Sequence, residues 1–300
     1  MLHAAHSHFK SDLSNQALAI GVTKDELHFL YELHPDFAAF PTFPINLAFK
    51  QTDQDVFDFI SRTANTDIPG TPPFDPQRSV DGERGIEILR PIPTSSTGLD
   101  LELRGKVIGV YDKGNSLAVF SHNTLQLSNV IIGGNMILEA ENTLLDVKTN
   151  TIYAKMTNTS FGIGQGGYGG PRGPSKPLHS PPDRFPDAVH VFQTSPEQAL
   201  LYRLCGDYNP MHADDAFGKN AGFKRSILQG LGTWNIAAHG VLKMFGDSDP
   251  KRFKSFSARF ASVVYPGDAL ETKMWKIEDM NGSDEIRFQT TVMSDGRLAL

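Results

Sequence analysis

No helix can run through residues 162–186. Pro171, Pro174, Pro177, Pro181, Pro182 and Pro186 recur too closely for a helix to form between them, and they follow a glycine-rich run at 162–170. Gly162, Gly164 and Gly167 satisfy the G-x-G-x-x-G spacing of dinucleotide-binding turns, but that turn works by feeding a helix whose first amides meet a pyrophosphate. With prolines next in line, the run reads as a Gly-rich turn entering an extended interdomain linker. The 300-residue chain is thereby divided into parts of ordinary domain size, 12–161 and 187–300, joined by 162–186.

Each part offers helix first and strands after. In the first, 12–20 is predicted helical with Gly21 ending it, and 24–33 repeats the pattern with Leu27, Leu30 and Tyr31 on one face. Phe37, Phe40, Pro41, Phe43 and Pro44 make a compact apolar turn, and 53–81 reads as a helix followed by a long loop. Strands are expected at 86–89, 105–111, 116–120 and 151–160, with a hairpin turn at 112–115 and an added hairpin over 123–142 turning at Gly133, Gly134 and Asn135.

In the second part, Ser195, Pro196 and Gln198 open a helix whose buried stripe is Leu200, Leu201 and Leu204, and Gly206 closes it. A short helix is expected at 214–219. Over 230–245, Leu231, Trp234, Ala238, Val241, Leu242 and Phe245 recur at helical spacing, while Gly230, Gly232, Ala237 and Gly240 allow close packing on a sheet. Strands at 256–264, 269–277 and 285–293 follow, with turns at Pro266-Gly267 and Asn281-Gly282, and a further strand is expected to begin at Leu298.

Between these helices lies LLYRLCGDYNPMHADDAFGKNAGFKRSILQG, at 200–230. It sets Asp207 and His212 five residues apart on a loop stiffened by Asn209 and Pro210. A carboxylate and an imidazole so placed can address one small volume, and a water between them can lose a proton to one group while the other supplies one. The arrangement reads as acid/base chemistry.

The run YRLCGDYNPMH, followed by the AGF and ILQGL segments, resembles the signature of the (R)-specific 2-enoyl-CoA hydratases, the hydratase 2 branch of the MaoC-like dehydratases. Upstream, ELHFLYELHPDFAAFPTF, GIEILRPIPTSSTG, GKVIGVYDKG and GQGGYGGPRG resemble, in order, the N-terminal half of eukaryotic members. The resemblance implies an α+β double hot-dog: two units, each a long helix wrapped by a curved antiparallel sheet, with only the second keeping the catalytic loop and the first forming an acyl-chain pocket. It implies reversible hydration of a trans-2-enoyl-CoA to a (3R)-hydroxyacyl-CoA. Asp207 and His212 would be the acid/base pair, Asn209 would orient the water, and the Gly230 amide at a helix start would receive charge from the thioester oxygen. The family's usual His-Gly at this last point is Gln229-Gly230 here, which leaves the amide donor but bears on how the loop around residue 229 is held, and so on rate or substrate preference. No cofactor is expected beyond the coenzyme A of the substrate. A homodimer in a peroxisomal or cytoplasmic, in any case intracellular, setting is expected. For the coenzyme A phosphates, Lys219, Lys224 and Arg225, or Lys251, Arg252 and Lys254, are the nearest cations in sequence, though each is ordinarily solvated surface.

Other classes fit less well. A net charge of -6 offers no footprint for nucleic acid. No apolar run is long enough for a membrane span, and MLHAAHSHFK lacks the apolar core of a signal peptide. Cys205, the one cysteine, permits no intrachain disulfide and reads as a small apolar residue packed at a helix end rather than a nucleophile. His3, His6 and His8 have no acidic or thiol partner at ligand spacing, and the sequons at Asn158 and Asn281 are of a kind that arises by chance. His212, Asp214 and His239 imitate a two-histidine, one-carboxylate iron site, but such sets sit on strands and His239 is predicted on the polar side of a helix, so no metal is expected. Two rivals remain: a non-catalytic acyl-CoA binding module, and a dehydratase of another 3-hydroxyacyl thioester.

Overall fold

The protein is described by a computed structural model covering residues 2–3, 9–50, 71–75, 78–114, 134–174, 179–277 and 282–300, with the single positions 56 and 68. The helix expected from 53, the strand at 116–120, the first arm of the added hairpin at 123–133 and the sequon at Asn281 lie outside the described residues.

The chain opens with a short strand, β1 (Leu2–His3), and helix α1 (Phe9–Ala19). α1 ends as the sequence requires: Gly21 takes φ +94°, and the Val22 amide closes back on the Ala17 carbonyl at 3.0 Å. The second predicted helix is only a 3-10 turn, Lys24–Phe29, and of its expected stripe only Leu30 packs against the core. Glu26 and Phe29 are buried, whereas Leu27 and Tyr31 face solvent. Another 3-10 turn, Phe43–Ala48, forms the apolar corner predicted around Phe37 to Pro44.

Among the described residues, four strands follow: β2 (Ser79–Ile88), β3 (Leu101–Asp112), β4 (Met136–Asp146) and β5 (Thr151–Gly162). All are longer than their sequence signals. In the second part come β6 (Ala188–Gln193), α2 (Gln198–Arg203), α3 (Asp215–Asn220), α4 (Gly230–Gly246), β7 (Ser255–Arg259), β8 (Ala269–Ile277) and β9 (Glu285–Val292). β6 was not foreseen, although Val189, His190, Val191 and Phe192 alternate between exposed and half-buried.

The strands form an antiparallel sheet in the order β1-β3-β4-β5-β2-β7 and a second in the order β6-β8-β9. β7 comes from the second part of the chain and β2 from the first, paired from Glu83↔Arg259 to Glu87↔Ser255, so the larger sheet crosses from one to the other. Beyond β7 the chain keeps bonding outward: the Phe260 amide to Gly82 at 3.0 Å, then Ala261 to the Ala299 carbonyl at 2.9 Å. Residues 298–300 also bond to Thr290 and Thr291 of β9, which places the expected last strand between the two sheets.

α4 lies across this surface and is buried on every side from Leu231 to Gly240. Trp234, fully buried, donates Nε1 to the Arg84 carbonyl of β2 at 3.2 Å and meets Phe256 of β7 edge-on at 4.7 Å. The small residues predicted to allow close packing do so. A Cβ on Gly240 would lie 2.7 Å from the His190 ring of β6. The helix-on-curved-sheet arrangement expected of the second hot-dog unit is therefore present.

The Gly-rich run forms no helix but is more than a linker. It folds around Asp112, whose carboxylate accepts the amides of Gly114, Gly167 and Gly169, each at 2.7 Å. The Gly167 amide first, with the others, outweighs burial and holds the Asp112 carboxyl down to about 2. Gly164, Gly167, Gly169 and Gly173 all take positive φ, the backbone state that lets successive amides converge on one acid.

Candidate active site

Helix α2 delivers the loop that carries Asp207. Of its predicted stripe only Leu201 packs against the core: Leu200 and Leu204 are exposed, and Gln198, Ala199, Tyr202 and Cys205 face the interior. Buried polar members of that face have partners far away in sequence. Gln198 Nε2 donates to the Ala19 carbonyl at 2.7 Å, and the Tyr202 hydroxyl joins Asn46 Oδ1 at 3.1 Å and Asn235 Nδ2 at 2.8 Å. At Gly206, with φ +117°, a Cβ would press within 2.6 Å of Lys50 Cβ, so glycine there lets Lys50 pack under the loop and pair with Asp12 at 2.6 Å. Burial raises the Cys205 thiol to about 12, which suits an inert packing residue.

After Gly206 the loop is bonded to itself. The Asn209 amide reaches Asp207 Oδ1 at 3.4 Å, and Asn209 Oδ1 caps the turn Pro210–His212 by accepting the Met211 amide at 3.1 Å. Proline at the first position of that turn costs no hydrogen bond. The result brings Asp207 and His212 together, with His212 Nε2 3.7 Å from Asp207 Oδ2 and both side chains mostly buried. At that distance they are not locked to one another, and each keeps capacity for a third atom between or beside them.

His212 is oriented from behind. Its Nδ1 lies 2.9 Å from the Ile227 carbonyl. A carbonyl only accepts, so Nδ1 carries a hydrogen, and Nε2 is the ring nitrogen turned toward Asp207. The Ile227 amide in turn bonds the Met211 carbonyl at 3.3 Å, and Leu228 bonds Val264 at 2.8 Å, so 227–228 runs alongside the site loop. Two residues on, Gly230 begins α4 behind Gln229 as N-cap, where an amide has no carbonyl of its own helix to meet. Gln229 is fully buried and donates Nε2 to the Ala199 carbonyl of α2 at 3.1 Å. Neither the Ile227 carbonyl nor the Gln229–Ala199 bond had any signal in sequence, since backbone acceptors leave no residue-type signature.

The remaining candidates fall elsewhere. His239 is buried at 1% exposure, not on a polar helix face. Its Nε2 meets both Glu26 oxygens at 3.0 Å, and Ser248 and Lys243 complete that carboxylate's shell at 2.6 and 3.3 Å. Among the described residues no three His, Cys, Asp or Glu side chains are grouped as metal ligands. Of the proposed phosphate contacts, Arg225 is held by the Pro266 carbonyl at 2.8 Å and Arg252 pairs with Asp247, while Lys219, Lys224, Lys251 and Lys254 are exposed.

Comparison with known proteins matches residues 177–297 to the MaoC like domain and residues 7–145 to the MFE-2 hydratase 2 N-terminal domain. The chain belongs to the MaoC-like dehydratases. It is 36% identical to a probable enoyl-CoA hydratase 2 of Dictyostelium discoideum over 97% of this chain and 88% of that protein. To probable dehydratase NIT22 of Ajellomyces capsulatus it is 40% identical, over 92% of this chain and 74% of that one. The crystal structure of a MaoC-like dehydratase from Phytophthora capsici superposes with a TM-score of 0.79 at 34% identity, covering 97% of this chain and 89% of that chain. As a MaoC-like dehydratase with an α+β double hot-dog fold, the protein is a hydro-lyase with a hydratase/dehydratase role in fatty-acid metabolism. No helix among its described residues is long and apolar enough to cross a membrane.

Proposed function

We propose that the protein catalyses the reversible hydration of trans-2-enoyl-CoA to (3R)-hydroxyacyl-CoA, with Asp207 and His212 as the acid/base pair. The observation that carries this reading is the approach of His212 Nε2 to Asp207 at 3.7 Å while Nδ1 is tied to Ile227. In the hydration direction a water between the two loses a proton as its oxygen bonds to C3, and a proton is delivered to C2. In dehydration the same groups remove the C2 proton and protonate the leaving hydroxyl. Asn209, whose Oδ1 is committed to the turn, has its amide nitrogen left to orient the water. The Gly230 amide receives the charge that grows on the thioester oxygen, a kind of contact typically worth about 3 kcal/mol of barrier.

Under this reading coenzyme A enters as part of the substrate and no other cofactor is needed. The catalytic unit is 187–300, while 12–161 supplies the acyl-chain pocket and 162–186 links them. A homodimer is proposed. The mouse relative, 32% identical over 95% of this chain and 34% of that protein, is named a peroxisomal multifunctional enzyme type 2, which supports a peroxisomal location ahead of a cytoplasmic one. The higher identity to a protein named as a dehydratase favours a second reading in which the same pair acts on another 3-hydroxyacyl thioester. A kinetic survey across enoyl-CoA chain lengths, with the product configuration determined, separates them. Hydration of crotonyl-CoA or longer enoyl-CoA to the 3R product is the expected result, and inertness toward every enoyl-CoA would refute the first reading.

A further inference from the structure

The segment 227–230 serves the site four times in succession: the Ile227 carbonyl holds His212, the Leu228 amide holds Val264, Gln229 Nε2 holds α2, and the amide of Gly230 opens α4. Gln229 is the member whose chemistry is unexplained by stability. It is 0% exposed, and its Oε1 has no hydrogen-bond partner among the described residues. An unmet buried carbonyl is a cost to the fold that an apolar side chain of equal length would not carry. What the amide does supply is one directed bond. The Ala199 carbonyl sits in the helix that leads into Asp207, and Gln229 immediately precedes the Gly230 amide. Gln229 also caps nothing: its side chain makes no bond to the first amides of α4, and only its backbone carbonyl accepts Gly232 at 2.9 Å and Thr233 at 3.2 Å.

From this geometry we infer that Gln229 is a positioning residue for the reaction, clamping the first turn of α4 to α2 so that the Gly230 amide is held in register with Asp207 and His212. The inference rests on the hydratase reading above. The side chain touches no substrate. It acts by fixing where the charge-accepting amide lies, and misplacement of such a group by about an ångström can cost on the order of a hundredfold in rate.

The test replaces Gln229 by Met, of similar length without the donor, and by His, which restores a ring N–H. Hydration kinetics and thermal melting are measured on the full chain. Binding of a conjugated aryl-enoyl thioester is followed as well, since its absorption shifts to the red when its carbonyl is polarised. Q229M is expected to lower kcat by about 10- to 100-fold with KM within about twofold, to weaken the red shift, and to melt no lower than the parent. Q229H is expected to recover kcat in part. Unchanged kcat and red shift in Q229M would overturn the inference. So would a fall in melting temperature or loss of folding, because the side chain would then be structural. Should the parent chain itself lack hydratase activity, the proposed function fails instead, and the two failures are told apart.

Discussion

At Cys205 the sequence allowed two roles, and the residue's surroundings separate them. The thiol is buried behind the site loop and raised to about 12, so almost none of it is thiolate at neutral pH. The expected outcome is that a disulfide reagent labels Cys205 at pH 8 only after denaturation; rapid labelling of the folded protein would contradict its placement. That Asp207, Asn209 and His212 share one self-bonded loop was legible because their spacing is local and the loop bonds are within a few residues. His239 was misread for the opposite reason. Its partner Glu26 lies 213 positions away, and a helical wheel cannot distinguish a polar residue facing water from one facing a buried carboxylate.

At the scale of elements, α4 was readable from its apolar period and small residues, and its bounds hold to within a residue. α2 was not. Its leucines suggested one face, yet the interior is lined by Gln198 and Tyr202, made tolerable there by Ala19, Asn46 and Asn235. The closeness of α4 to its sheet can be tested by filling its glycine contact. Gly240→Leu, driven into the His190 ring, is expected to destabilise by about 1–3 kcal/mol, and Trp234→Ala by about 3–5 kcal/mol, as read by denaturant midpoints. Unaltered midpoints in both would contradict the burial described for α4.

Across the whole molecule, three groups, His190, Glu26 and Asp112, link stability to pH in the same direction. Burial, with His239, holds His190 down to about 4, against 6.5 for a free imidazole, and Lys243 works the same way while Glu26 opposes it. Its contribution is present above pH 6.5 and is lost as pH falls toward 4. Burial pulls the Glu26 carboxyl upward, but bonds from His239 and Ser248 and the charges of His239 and Lys243 outweigh it and leave about 2, against 4.5 when free. That contribution is present above pH 4.5 and lost toward 2, and Asp112 adds to it between 3.8 and about 2. Melting temperature is therefore expected to fall in two stages on acidification, and His190→Phe to remove the upper stage alone. A single stage unaffected by His190→Phe would contradict this assignment. The Gly-rich run illustrates what sequence withheld at this scale: its prolines excluded a helix, but the acid it wraps is 55 residues upstream of Gly167.

The central claim is that one carboxylate and one imidazole act together on one water. Turnover of an enoyl-CoA by Asp207→Ala, His212→Ala and the double variant measures this directly, since groups that work as a unit give grossly non-additive losses. The account predicts that each single change lowers kcat by about a thousandfold or more with the fold intact, and that the double variant is little worse than the poorer single one. Near-normal turnover in either single variant, or losses that multiply in the double, would contradict it.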